Sequence, residues 1–302
     1  MLKHAKIPRR TLEWIAQTIG SRYSVHTVVW MGRSSTEMHA VDIVDESGQI
    51  RRLALRRYVD VNRLDSDPWY RPEQEAEALR ILAEVNVPAP RLVAEDVEPK
   101  WCDVPTLLET RISGRPVRRR LANFDAYLQE AAEVLCQVHA VTPVRIQALP
   151  TYAPYEPLPT QPILGWSSRS ALWARVLDVL GGPAPHDEGR FIHRDYHPGN
   201  ILVAKSRIAG IVDWPTACRG PRSIDLARMR LNLVGDYDLA SADRFLALYS
   251  DRAGSDFVHE PYWDLVDAID LLRDEEPPRT RRQAATWERF EQWVGRVLAN
   301  LR

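Results

Sequence analysis

The 302-residue chain has few cysteines, no excess of either charge and no long apolar run. Its three cysteines, Cys102, Cys136 and Cys218, form no C-x-x-C pair, which excludes a disulfide framework and a cysteine zinc site and indicates the reduced thiols of a cytoplasmic protein. Lysine and arginine total 40 against 41 acidic residues, so no overall basic field exists to hold nucleic acid or an anionic membrane. No stretch approaches the ~20 apolar residues of a membrane span. We therefore expect a soluble protein with neither a nucleic-acid nor a membrane partner.

The first part of the chain has the pattern of a small antiparallel sheet. Residues 23–58 alternate between apolar and polar side chains in three runs, and the last two runs are separated by the turn-forming residues 45–49. Residues 72–86 are rich in helix formers and are followed by Pro88, which predicts one helix after the third strand. Polar residues and a glycine interrupt the strand pattern at 109–114, which is the candidate hinge.

The second part of the chain has helical periodicity. Residues 124–140 place apolar side chains at helical spacing, and most of the remaining chain to residue 302 has the same character. Six prolines between residues 143 and 162 exclude a helix there and predict an extended crossing segment. This segment either borders a substrate cleft or is a plain surface connector.

The most informative stretch combines residues 191–203, FIHRDYHPGNILV, with residues 208–214, IAGIVDW. Asp195 and Asn200 lie five residues apart in a polar loop between two apolar runs, and Asp213 ends the next run, thirteen residues after Asn200. Phosphoryl transfer from a nucleotide needs a carboxylate that orients the attacking hydroxyl and accepts its proton, and an amide plus a carboxylate that hold Mg²⁺ against the phosphates. The pattern predicts Asp195 as the catalytic residue and Asn200 and Asp213 as the metal ligands.

Three motifs in this region, HRDYHPGN, VDW and the downstream GPRSIDLA, resemble the aminoglycoside phosphotransferase and choline kinase-like family of small-molecule kinases. The resemblance implies an α+β, bilobal, protein kinase-like fold, with an antiparallel β N-lobe that carries one main helix and with an α-helical C-lobe. The N-terminal nucleotide-binding lobe would comprise residues 1–108, the hinge 109–114, and the catalytic and acceptor-binding lobe 115–302. The implied reaction is the Mg²⁺-dependent transfer of the γ-phosphoryl group of ATP or GTP to a hydroxyl of a small molecule, an aminoglycoside-like antibiotic or a related compound.

The resemblance also implies which residues bind the nucleotide phosphates. Arg56 stands where the family has a lysine that contacts the α- and β-phosphates, and Glu75 matches the ion-pair partner of that cation. Glu73 and Glu77 on the same predicted helix compete for this role, and a solvated strand-end arginine is the alternative for Arg56. The loop that carries Ser34 and Ser35 has a single glycine, Gly32, so it is either a phosphate-binding loop or an ordinary hairpin turn.

The remaining predicted residues fall into three groups. The first group is expected, from the same resemblance, to contact the adenine and comprises Glu109, Arg111, Ile112 and Ile211. The second group, His193, His197 and Asp225, is expected to brace the catalytic loop. Asp264, Asp267 and Asp270 belong to an acidic stretch that either binds a cationic acceptor or forms a solvated helix face.

Other functions are compatible with parts of the pattern. A kinase of an endogenous amino alcohol or sugar would have the same fold. A nucleotide-binding pseudokinase would account for the glycine-poor loop and for Arg56. A nucleic-acid binder would need a basic stripe, for which residues 115–120 are the only candidate.

Overall fold

The computed structural model describes residues 7–33, 36–117, 121–160 and 163–301. The chain divides into two compact units. Unit 1 comprises Met1–Ser113 and Trp214–Thr216, and unit 2 comprises Gly114–Asp213 and Ala217–Arg302.

Unit 1 is built on one five-stranded antiparallel sheet with the strand order β1-β2-β3-β5-β4. The strands are β1 (Tyr23–Arg33), β2 (Glu37–Asp45), β3 (Ile50–Arg57), β4 (Leu92–Asp96) and β5 (Thr106–Thr110). The helices are α1 (Arg9–Ile19), α2 (Val61–Ser66) and α3 (Pro72–Ala83). The predicted antiparallel sheet and the predicted helix after its third strand are confirmed, whereas the short helix α2 was not expected.

The alternation of the strand residues accounts for the core of unit 1. Val41 and Leu53, which face each other across β2 and β3, are both buried, and they share a cluster with Trp14 of α1. The predicted turn between β2 and β3 is also confirmed. Gly48 adopts φ +83° there, a left-handed conformation that glycine takes without strain, and the Asp45 carboxylate accepts backbone N–H bonds from the turn.

Unit 2 is mainly helical and contains two small sheets, β6-β8-β9 and β10-β7. Its helices are α4 (Phe124–His139), α5 (Ser170–Leu180), α6 (Arg222–Asp236), α7 (Leu239–Ala253), α8 (Pro261–Leu272) and α9 (Arg281–Ala299). Its strands are β6 (Arg115–Pro116), β7 (Arg190–Ile192), β8 (Ile201–Ala204), β9 (Arg207–Ile211) and β10 (Cys218–Gly220). The predicted helical character of the second part of the chain is confirmed.

Helix α6 lies at the centre of unit 2 and packs against α7, α8, α9 and β7. It is buried at every position from Ser223 to Leu231, although this stretch contains Asp225, Arg228 and Arg230. Buried charges are stable only when they are paired or hydrogen-bonded. The charged residues of α6 therefore have partners inside the unit, and those partners define the site described below.

The proline-rich stretch differs from the prediction at its start. Pro143–Ile146 forms one turn of 3₁₀ helix, and only after it does the chain run without regular structure. Thr151 makes an isolated bridge to Arg219, and the Tyr155 backbone N–H donates to the Asp270 carboxylate. In the part of the chain that the structure describes, no helix combines the length and the apolar character that crossing a lipid bilayer requires.

Candidate active site

Asp195 lies in the loop between β7 and β8, and both of its carboxylate oxygens have neighbours that fix them. The Asn200 side-chain amide donates to the Asp195 backbone oxygen at 3.0 Å and to Oδ2 at 3.1 Å. His197 Nε2 lies 3.5 Å from Oδ2, and Arg228 Nη1 lies 3.6 Å from Oδ1. The side chain is still 29% exposed. The carboxylate is therefore held in one orientation while a small molecule can reach it.

The same neighbours set the protonation state of Asp195. Burial alone would raise the pKa of this carboxyl, but the hydrogen bond from His197 and the positive charge of Arg228 outweigh that effect and hold the pKa well below its ordinary value. The carboxylate is consequently ionised at neutral pH. An ionised, oriented carboxylate suits the loose transition state of phosphoryl transfer, in which the attacking hydroxyl needs orientation more than early deprotonation.

His193 joins the catalytic loop to the segment that carries Asp213. Its Nδ1 accepts the Asp195 backbone N–H at 3.2 Å, so its Nε2 carries the proton that is donated to the Val212 carbonyl at 3.0 Å. Burial lowers the pKa of His193 and keeps the ring neutral, as this pair of bonds requires. These are the contacts of a residue that braces the loop.

Asp225 of α6 holds the backbone of the same loop. Its two carboxylate oxygens accept the backbone N–H groups of Arg194 at 2.6 Å and of His193 at 2.9 Å. The His139 ring donates to it at 3.1 Å and accepts from the Tyr249 hydroxyl at 2.6 Å. Arg194 has φ +69°, a left-handed conformation that is strained for a residue with a side chain, and the two N–H bonds maintain it.

His197 completes the loop through a close backbone approach. Its Nδ1 accepts the Gly199 N–H at 3.1 Å while its Nε2 faces Asp195. A Cβ atom at position 199 would lie 2.5 Å from the His197 ring, so only glycine leaves the ring in this place. This contact again agrees with a loop-bracing role for His197.

Asn200 and Asp213 are the candidate metal ligands, and backbone bonds keep their segments together. The Asn200 carbonyl accepts the Val212 N–H at 3.0 Å, and Asp213 follows at φ +73°. Because the Asn200 amide nitrogen is turned toward Asp195, its oxygen is the atom left for a metal. Two hard oxygen donors, completed by phosphates and water, are what Mg²⁺ takes in nucleotide sites. No group of three or more His, Cys, Asp or Glu side chains that could hold a metal ion occurs among the described residues.

In unit 1 the predicted ion pair joins β3 to α3. Arg56 Nε lies 3.0 Å from Glu75 Oε2, and both side chains are buried. The Tyr58 hydroxyl also donates to Glu75, and Arg56 Nη1 donates to the Thr36 hydroxyl at 3.1 Å. These two hydroxyl partners were not predicted, since nothing in the strand pattern distinguishes them.

The neighbouring glutamates on α3 do not share this position. Glu73 is exposed, and Glu77 pairs with Arg80 on the helix surface. Of the three glutamates that competed in the sequence, the structure pairs Glu75 with the buried Arg56.

The predicted adenine contacts lie in both units. In unit 1, Glu109 is buried in β5, and Ile112 follows the strand half-buried. Arg111 donates its backbone N–H to the Arg52 carbonyl, and its side chain pairs with Asp42 at 2.5 Å. These contacts place the segment firmly beside β3, and its role in nucleotide binding stays a prediction.

Ile211 is fully buried at the end of β9 in unit 2. Ser34 and Ser35 lie outside the described residues.

The predicted acceptor-binding acids lie inside unit 2. Asp264 and Asp267 of α8 are each 1% exposed and pair with Arg230 at 2.5 Å and Arg228 at 2.9 Å, respectively. Asp270 accepts from a backbone N–H of the proline-rich segment and from an arginine one turn further along the chain. The Asp270 side chain is also only 2% exposed, so the alternative of a solvated helix face is wrong for all three acids. Acceptor binding by the three stays a prediction.

The comparison with known families decides the classification. The model of the phosphotransferase enzyme family matches residues 61–261, about two thirds of the chain. The chain belongs to this family. The matched range contains the whole loop around Asp195, the metal-ligand candidates Asn200 and Asp213, and Asp225 of α6. The family predicted from the motifs is thus confirmed.

Curated relatives of this phosphotransferase-family chain include the homoserine kinase of Pseudomonas aeruginosa strain LESB58. The two sequences are 28% identical over 180 residues, which cover 56% of this chain and 56% of the relative. The chain therefore matches little more than half the length of this relative.

Solved structures with the same fold include several antibiotic phosphotransferases. The aminoglycoside-3'-phosphotransferase of type VIII has a TM-score of 0.58 at 21% identity over 86% of this chain and 99% of its own. Spectinomycin phosphotransferase, solved with ADP and spectinomycin, has a TM-score of 0.57 at 13% identity over 99% of each chain. The macrolide 2'-phosphotransferase of Brachybacterium faecium has a TM-score of 0.54 at 16% identity over 95% of this chain and 91% of its own. These likenesses confirm the predicted α+β kinase-like fold.

Proposed function

We propose that this chain transfers the γ-phosphoryl group of ATP or GTP to a hydroxyl group of a small molecule. The observation that carries the proposal is the arrangement around Asp195 in unit 2. Its carboxylate is ionised, oriented and accessible, its loop is bonded to the metal-ligand candidate Asn200, and backbone bonds through Val212 tie that loop to Asp213.

Asp195 would act on the acceptor hydroxyl. Its carboxylate orients the O–H group and takes the proton as the new bond between the acceptor oxygen and the γ-phosphorus forms. The bond between the γ-phosphorus and the bridging oxygen breaks, and the electron pair leaves with the nucleoside diphosphate.

Asn200 and Asp213 would hold Mg²⁺ through their side-chain oxygens. When bound, this ion neutralises charge on the phosphates of the donor. The assignment is supported by the hydrogen bond that turns the Asn200 amide nitrogen toward Asp195, because it leaves the amide oxygen for the metal.

In unit 1, Arg56 would contact the α- and β-phosphates, with Glu75 fixing the direction of its guanidinium. Arginine is bulkier than the usual lysine, but its planar fork binds phosphate oxygens in pairs. The further nucleotide contacts that we propose are Ser34, Ser35, Glu109, Arg111, Ile112 and Ile211. The hinge at residues 109–114 is part of the same proposal.

Two acceptor classes have specific support. The antibiotic phosphotransferases share the fold of this chain, which supports an acceptor of the aminosugar class. The sequence match with homoserine kinase favours a small amino alcohol instead. Aminosugars and homoserine both carry a hydroxyl group and a cationic amine.

The test is a coupled assay of nucleoside diphosphate formation with ATP or GTP, with and without Mg²⁺. The acceptor panel contains aminoglycosides, macrolides and amino alcohols that include homoserine. We expect Mg²⁺-dependent turnover that one acceptor class stimulates and that Asp195→Asn abolishes. The exposed Asp251 provides a matched control, because Asp251→Asn should leave turnover unchanged. Mg²⁺-dependent nucleotide binding without turnover on any acceptor would contradict the proposal and favour a pseudokinase.

A further inference from the structure

We infer that Arg228 is a positioning residue that holds the Asp195 carboxylate in its working orientation, an inference that rests on the proposed function. Arg228 Nη1 lies 3.6 Å from Asp195 Oδ1, and Nη2 lies 2.9 Å from Asp267 Oδ1. One guanidinium thus connects the catalytic carboxylate to a carboxylate on helix α8.

The anchor of this bridge is deeply buried. The side chains of Arg228 and Asp267 are 6% and 1% exposed. Asp267 Oδ2 has no hydrogen-bond partner among the described residues, so the ionised form of this carboxyl group depends on the guanidinium. An arginine with one nitrogen fixed at 2.9 Å in a packed interior has little freedom to swing its other nitrogen away from Asp195.

Removing the guanidinium would take away the cation that contacts both carboxyl groups. Burial raises the pKa of Asp267 to about 7 even beside Arg228, so without the arginine Asp267 would take up a proton. Asp195 would lose the contact of Arg228 Nη1 with its Oδ1, and as the more exposed of the two groups it has room to reorient. Misplacing a catalytic group by about 1 Å is enough to slow a reaction strongly.

The position of Arg228 on α6 explains why this helix is suited to the task. Asp225 and Arg228 are three residues apart and therefore lie on the same face of the helix. Asp225 fixes the backbone of residues 193–194, and Arg228 faces the side chain of Asp195. A single face of α6 thus determines both where the loop runs and where its carboxylate points.

The chain offers a matched control two residues further along the same helix. Arg230 pairs with Asp264 of α8 at 2.5 Å, and the exposures of this pair are again 6% and 1%. Its other acidic neighbour among the described residues is Asp243 at 3.8 Å, and it has no contact with Asp195. The two ion pairs join the same helices and are equally buried. The Arg230–Asp264 pair also contacts His259, and of the two only the Arg228–Asp267 pair contacts the catalytic carboxylate.

The experiment compares kcat and KM of R228Q, R228K, R230Q and R230K with those of the wild-type chain and D195N, using the acceptor identified above. We expect R228Q and R230Q to lower the melting temperature similarly. R228Q should lower kcat at least about tenfold more than R230Q, a difference of ~1.4 kcal/mol in activation free energy. KM for the nucleotide should stay within about twofold of wild type, because the interaction acts on the catalytic carboxylate. R228K should have an intermediate kcat, since lysine keeps the charge but replaces the two nitrogens that face Asp195 and Asp267 by a single one.

Equal kcat values for R228Q and R230Q would overturn the inference, and so would a change confined to the KM of the acceptor. If R228Q does not fold, the comparison of R228K with R230K decides by the same criterion. Nucleotide binding by the wild-type chain without turnover on any acceptor would instead refute the proposed function, so the two failures are distinguishable.

Discussion

The substitution Asp225→Asn tests how much the catalytic loop depends on one buried carboxylate. Asp225 is completely buried and accepts three hydrogen bonds, from the backbone N–H groups of Arg194 and His193 and from the ring of His139. Asparagine has the same shape but only one oxygen. If that oxygen keeps the two bonds of Oδ2, the new NH₂ group faces the N–H group of Arg194, where two donors oppose each other.

The cost follows from the number and kind of bonds affected. A hydrogen bond to a charged group contributes about 1.5–3 kcal/mol, so losing one outright and weakening two others should destabilise unit 2 by about 3–4 kcal/mol. At about 2–4 °C per kcal/mol for a unit of this size, the melting temperature should fall by roughly 10 °C. Because the released Arg194 precedes Asp195, we also expect kcat to fall by more than about tenfold.

Thermal unfolding followed by circular dichroism gives the stability change, and the coupled nucleoside diphosphate assay gives kcat. Asp251→Asn on the surface of α7 is the control and should change neither quantity. A variant of Asp225 that unfolds within about 2 °C of wild type, or that turns over at the wild-type rate, would refute the view that this carboxylate holds the loop.

Three other predictions concern stability and reactivity. Burial alone would raise the pKa of Asp96, but three backbone N–H donors outweigh it and hold the pKa below its ordinary value. The stabilisation that the ionised Asp96 gives the fold is therefore complete above about pH 4 and is lost as the pH falls. Asp96→Asn should lower the free energy of unfolding by about 2–3 kcal/mol near pH 7 and by less near pH 3. Equal losses in urea unfolding at both pH values would contradict this. A Cβ atom on Gly220 would lie 2.6 Å from Tyr152 Cβ, so Gly220→Ala should destabilise unit 2 by about 1–3 kcal/mol in urea unfolding. Gly165→Ala, which meets no atom within 4 Å, should be neutral, and equal effects of the two substitutions would refute the steric argument. Burial raises the pKa of Cys102 to about 11, so this thiol should react slowly with a disulfide reagent near pH 8 in the native protein and rapidly in denaturant. Rapid labelling of the native protein would contradict the burial of Cys102.

The local sequence pattern was sufficient to predict those elements of unit 1 in which apolar and polar residues alternate or the chain turns sharply. The β2–β3 hairpin follows from apolar alternation on both sides of a turn that contains Gly48, and the structure has it where the sequence predicts it. Helix α2, Val61–Ser66, was missed because it is six residues long and buries none of them. It has no apolar periodicity from which it could be predicted.

The candidate site residues were predictable from the sequence where they lie together in one short segment. Asp195 and Asn200 share a loop, and their side chains are hydrogen-bonded as their spacing suggests. The partners that come from distant segments were not predictable. His139 and Arg228 look like ordinary members of amphipathic helices, and only tertiary packing brings the first to Asp225 and the second to Asp195.

The acidic stretch on α8 shows how a helical pattern can mislead. Asp264 and Asp267 have the spacing of a charged surface stripe, yet both are buried against arginines of α6. The compensating charges lie on a different helix, some 35 residues earlier in the chain. Charge on one element does not reveal burial when the neutralising partner is on another.

The most direct test of the account is the acceptor-stimulated formation of nucleoside diphosphate by the wild-type chain and by Asp195→Asn, with phosphorus NMR of the product. We predict a phosphomonoester on the acceptor with the wild-type chain, and none with the variant although it still binds the nucleotide. A phosphomonoester formed by the variant at the wild-type rate would show that Asp195 is not the residue on which phosphoryl transfer depends.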